Sequence, residues 1–134
     1  MSIKRLTKED IARTTGILNP IGHVILAFKD DAVTATAVTA MRATGFPAED
    51  TLVYLASEAT PRLRQRVESV SQAAGFGYEI TLMRRYLALA EQGCGWVIVF
   101  APGNAEVERL TEVATRFGAK CAVRYHRLAN EDLL

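Results

Sequence analysis

Cysteine and histidine are scarce in this chain of 134 residues, with two of each. Cys94 and Cys121 form no CxxC pair, and the histidines complete no zinc spacing with them. That excludes zinc fingers and disulfide scaffolds, and both thiols read as small buried apolar side chains. Tryptophan occurs once, at position 96. No apolar run approaches the ~18 to 20 residues that span a bilayer. The start, Met1-Ser2-Ile3-Lys4-Arg5, has charges but no uninterrupted apolar stretch behind it. A secretory signal is therefore not expected, no membrane partner is expected, and the cytoplasm is the expected compartment. The formal net charge of +1 supplies no broad field for nucleic acid or an anionic membrane. Phosphate loops, GxGxxG, nucleophile elbows and metal-spaced His/carboxylate clusters are all missing. No catalytic residue, metal or cofactor is assigned on this basis.

What remains is a globular composition, with 49% apolar and 23% charged residues. The length suits one domain that hides roughly two-thirds of its unfolded surface. The most apolar strand signal is Trp96 to Phe100, followed by Ala101-Pro102-Gly103-Asn104. Val24 to Phe28, followed by Lys29-Asp30-Asp31, reads the same way.

Residues 1–22 form an N-terminal arm. Thr7 and Asp10 make a capping box for a short helix over about 8–15, which Gly16 stops. His23 to Phe28 is a strand apolar on both faces. Asp31 reads as the N-cap of a helix over 32–44 that ends at Gly45. A second strand covers 51–56. Thr60-Pro61 reads as the start of the next helix, with Leu63, Val67, Val70 and Ala74 as its apolar stripe. Gly75 and Gly77 break it, and a further helix covers about 79–92. The third strand is Trp96 to Phe100, and Asn104 reads as the cap of the helix that Gly118 ends. Cys121 to Leu128 is the fourth strand, and 129–134 a tail.

A shift of 73 residues places Val24 on Val97, Ile25 on Ile98, Leu26 on Val99, Asp31 on Asn104 and Gly45 on Gly118. The chain therefore reads as a duplicated βαβ unit. The fold class is α+β and ferredoxin-like: a four-stranded antiparallel sheet of order 4-1-3-2 over residues 23–128, with a helical hairpin inserted between strands 2 and 3. A long parallel βαβαβ sheet is the alternative. Strands 1 and 3 are apolar on both faces, yet the repeat helices cover only one. The other face needs the hairpin, the arm or a second subunit, and a homodimer is expected.

The strand–helix–strand unit from Val24 to Ala56 carries Gly45-Phe46-Pro47. A later helix bearing Tyr86 ends at Glu91-Gln92-Gly93 before the apolar strand. Over about residues 23–128 this resembles bacterial general stress protein domains of the heat-induced stress protein family. The resemblance implies a fold and a link to stress physiology, and it implies no chemistry or catalytic residues. Gly93-Cys94-Gly95-Trp96-Val97 partly resembles the third-strand signature of RNA-recognition domains, which display exposed aromatics.

Two clusters could bind. In the 4-1-3-2 order the start of strand 1 lies beside the end of strand 4, which brings His23 near His126. The turn at Gly103 and Asn104 points helix N-terminal amides at the same edge, a setting for a small anionic ligand. Arg62, Arg66, Arg84 and Arg85 make the hairpin locally basic, a phosphate-contacting face in a nucleic-acid reading. The leading expectation is a non-enzymatic ligand- or partner-binding domain. The alternatives are an anion sensor or enzyme at the His23/His126 edge and a nucleic-acid binder.

Overall fold

The computed structural model describes residues 3–14, 18–72, 77–127 and 129–134. Gly16, Ala74, Gly75 and Leu128, each given a part above, lie outside them. Among these, five α-helices and five strands follow in the order α1 (Lys8–Arg13), β1 (His23–Phe28), α2 (Asp31–Ala43), β2 (Thr51–Tyr54), α3 (Ala56–Gln72), α4 (Tyr78–Glu91), β3 (Gly95–Phe100), α5 (Asn104–Arg116), β4 (Cys121–Tyr125) and β5 (Asn130–Asp132), with one 3-10 turn at Ala48–Asp50 before β2.

The strands form one five-stranded sheet of order β2-β3-β1-β4-β5. Every pairing is antiparallel, with Ile25 opposite Ile98 and opposite Val123. A parallel sheet is ruled out. The four-stranded expectation falls one strand short, because Asn130–Asp132, read from sequence as tail, pairs with β4. Its three polar residues give no apolar alternation, so only backbone pairing makes it a strand. The fourth strand is shorter than expected and stops at Tyr125.

The two central strands are buried on both faces. All six residues of β1 are buried, and so are all of β3 except half-exposed Phe100. On one face Val24, Leu26, Phe28, Val97 and Val99 pack with Val38, Met41, Leu110 and Val113 of α2 and α5. On the other, Ile25, Ala27, Trp96 and Ile98 pack with Leu63, Leu82 and Tyr86 of the α3–α4 hairpin and with Ile11 of α1. Each such side chain contributes about 1.5 to 3 kcal/mol when fully buried. The hairpin and arm thus supply the cover that strands 1 and 3 demand, within one chain. Trp96 is 4% exposed and meets Tyr86 edge-on at 5.3 Å, so no aromatic platform faces solvent there.

The helix caps sit one residue from their expected positions. Asp30 caps α2 by accepting the Val33 N–H at 2.8 Å. Gly103 is the N-cap of α5, and its N–H donates to the Glu106 carboxylate at 3.0 Å. Asp31 and Asn104 are the first helical residues. The helix after β2 begins at Ala56, so Pro61 lies inside it rather than at its start. Its true start is held from elsewhere: the Ala56 N–H donates to Asp31 Oδ1 at 2.9 Å, and the Leu55 N–H to Glu58 Oε1 at 2.9 Å. The capping box of Thr7 and Asp10 is present. Gly45 and Gly118 both leave their helices at positive φ, 110° and 65°. Gly95 serves a different need. A Cβ there would lie 2.3 Å from Thr34 Oγ1, so its bareness lets α2 approach β3.

Candidate functional site

The arm is fastened across the hairpin-covered face at several points. Arg5 forms an ion pair with Asp50 and lies 5.6 Å from the centre of the Phe100 ring. The Leu6 N–H donates to His23 Nε2 at 3.2 Å. Ile11 is buried, and its carbonyl accepts from the Arg66 guanidinium at 2.9 Å.

Between arm, hairpin and sheet lies a cavity of about 370 Å³. Its floor is Ile25, Trp96 and Ile98 of the central strands, with Tyr54 at the end of β2. Leu63 and Tyr86 come from the hairpin, and Ile11 and Leu18 from the arm. Arg62 and Arg66, one turn apart on α3, add positive charge. The size and apolar lining fit the range of small-molecule sites. No aspartate or glutamate is among the described residues that line it.

Two residues of this wall carry unusual polar atoms. Tyr54 Oη and Trp96 Nε1 are buried, and neither has a hydrogen-bond partner among the described residues. The two residues are 6% and 4% exposed. A buried donor without an acceptor costs about 1 to 3 kcal/mol, and native proteins hold few of them. Burial pushes the Tyr54 phenol up from its ordinary value, against the smaller opposing pull of Arg62. It therefore stays protonated at neutral pH, as a donor. Its ring also carries Lys8 Nζ at 4.6 Å and the Arg62 guanidinium at 5.7 Å. Burial lowers the pKa of Arg66, with Arg62 adding a smaller like-charge push.

The residues singled out in the sequence fall elsewhere or divide. His23 is 1% exposed and faces the Phe100 ring, 5.1 Å between centroids. Its Nδ1 lies 3.0 Å from the Ile21 carbonyl. His126 follows β4 in a half-exposed position and meets Glu131 Oε1 at 2.8 Å. It borders a shallow groove with Pro102, Arg124 and Arg127 that includes neither His23, Gly103 nor Asn104. The Gly103 amide is occupied by Glu106 of its own helix. So the strand order brings the ends of β1 and β4 together, but the two imidazoles do not share a site. Residue parity explains it: His23 points with Ile25 into the hairpin-covered core.

The four arginines divide as well. Arg62 and Arg66 stand at the cavity. Arg85 lies 3.7 Å from Asp132 of β5 and donates to the Lys120 carbonyl at 3.4 Å. Arg84 is exposed on α4. Both thiols are buried and free. Burial raises the pKa of Cys94 and pushes that of Cys121 up to about 12, so neither is a ready nucleophile. Among the described residues no group of three or more His, Cys, Asp or Glu side chains could hold a metal ion, and no helix is long and apolar enough to cross a membrane.

In the sequence Trp96 opens a strand apolar on both faces and Tyr86 sits on a helix beside it, while Tyr54 carries no signal of its own. The signal for the cavity was weak: single polar tips on otherwise apolar strand residues. No family model matches this chain, and no curated protein or solved structure matches it.

Proposed function

We propose that this chain is a small-molecule-binding domain of ferredoxin-like arrangement whose ligand enters between the helical hairpin and the sheet. The observation that carries the reading is an apolar cavity of about 370 Å³ whose lining residues Tyr54 and Trp96 each carry a buried hydrogen-bonding atom with no partner among the described residues. The reading is one of binding, because the described lining residues include no histidine, cysteine or carboxylate to pair as nucleophile and base. The covered second face also removes the sheet's need for another subunit.

Trp96 is the single tryptophan and belongs to the cavity wall, so its emission reports occupancy directly. The protein is titrated with small aromatic and aliphatic molecules, neutral and charged, while Trp96 fluorescence and melting temperature are followed. At least one class shifts both, and Ala59→Leu, which fills the wall from α3, suppresses the shift. If no class moves either signal, the cavity is a packing defect and the reading fails.

A further inference from the structure

We infer that the cavity selects small carboxylates with an aromatic or arylalkyl body; this rests on the cavity being a binding site and adds the class of its ligand. The charged complement of the wall is one-sided: Arg62 and Arg66 are cationic, while Thr14, Gln65 and Ser69 add neutral groups that both donate and accept. Trp96 Nε1–H can only donate. Tyr54 can donate or accept, and its neutral hydroxyl is a donor at hand. Arg62 and Arg66 bring guanidinium groups, which match the two oxygens of a carboxylate in a planar fork. Against these the described lining residues set no carboxylate of their own. A cationic ligand would meet two positive charges and no carboxylate among the described lining residues, Glu58 acting on Tyr54 from outside the lining. A neutral hydrocarbon would leave both buried donors as they are. A carboxylate answers both features at once.

The body of the ligand follows from the rest of the wall. Tyr54, Tyr86 and Trp96 contribute rings, and Ile25 and Ile98 a flat aliphatic floor on adjacent strands. Tyr86 is held edge-on to Trp96. Such a surface suits a planar body of ring size, and the volume limits it to a small molecule. Both orphaned atoms are closed to water, so neighbouring side chains must move before a carboxylate reaches them.

Three probes separate the contributions: phenylacetate has body and charge, 2-phenylethanol the body alone, and acetate the charge alone. Trp96 emission and melting temperature are read for each at neutral pH. Phenylacetate binds at least about tenfold more tightly than 2-phenylethanol, the worth of one charge-assisted hydrogen bond, and acetate does not bind measurably. Arg62→Gln and Tyr54→Phe each weaken phenylacetate about fivefold to tenfold and leave 2-phenylethanol unchanged. Without probe, Tyr54→Phe melts no lower than the parent, because it removes an unpaired hydroxyl; a merely structural tyrosine would lower both melting and binding. Equal or tighter binding of 2-phenylethanol overturns the carboxylate assignment while leaving a binding cavity in place. Silence from all three probes overturns this inference, and silence from the wider panel overturns the cavity reading with it.

Discussion

At the scale of single residues, His23 shows how partners choose a protonation state. The Leu6 N–H can only donate, so Nε2 must carry the lone pair. The Ile21 carbonyl can only accept, so Nδ1 must carry the proton. The ring is neutral with both nitrogens matched. Burial holds its pKa below the ordinary 6.5, although Ile21 and Asp50 pull the other way. The unfolded chain therefore binds a proton at a higher pH than the folded one. The stability this contributes is complete above pH 6.5 and is lost as pH falls from there through the lowered folded value. Protonation would also set an N–H against the Leu6 N–H and loosen the arm. Lowering the pH from 7.5 to 5 should reduce the unfolding free energy and speed exchange of the Leu6 amide. In His23→Gln the decrease should shrink; an unchanged slope would assign it to other groups. The sequence marked His23 as notable but not its direction, because an apolar strand buried on both faces hides which parity looks to which layer.

At the scale of elements, four helices were legible to within two residues and so was the Thr7 cap, whereas the start of α3 and the caps of α2 and α5 were not. The 73-residue echo holds for the first and last residues of α2 and α5. It also holds for the caps, Asp30 and Gly103, each one position before the residue that sequence reasoning chose. In Asp30-Asp31 either carboxylate could cap. The second is taken by the Ala56 N–H, a contact between residues far apart in the chain. The same contact explains the early start of α3. An N-cap held by Asp31 and Glu58 tolerates Pro61 further in, although proline there denies the Ser57 carbonyl its usual donor. The roles separate on mutation. Asp30→Ala should cost about 1 kcal/mol, whereas Asn104→Ala, beyond the cap, should stay within about 0.5 kcal/mol. Urea unfolding of the two variants decides it, and a larger loss at Asn104 would restore it as the cap.

At the scale of the whole molecule, the sheet is a layer between two covers of different kinds. The repeat helices α2 and α5 form one cover by local connection, strand to helix to strand. The other is assembled from the inserted hairpin and the arm, parts with no counterpart in the duplicated unit, and the cavity lies at their seam. Such a seam need not close as tightly as a repeat packed on itself. A chain shortened to begin at Asn19 would lose Ile11 and the cross-face bonds of Arg5, Leu6 and Ile11. Its Trp96 emission should move to the red, and its stability should fall by about 2 kcal/mol or more; unchanged emission and stability would mean the arm is not a cover. By itself the sequence determined the alternation of strands and helices, the 73-residue echo between α2 and α5, and the demand for a second cover. Period, glycine stops and apolar runs are local quantities, written within a few turns of chain. The tertiary structure alone decided which acidic residue caps, that three polar residues at the C-terminus make a strand, that the two histidines part, and that Tyr54 and Trp96 share one wall. Those depend on which distant groups reach each other first, and hydrogen-bond partners dozens of residues apart leave no local pattern.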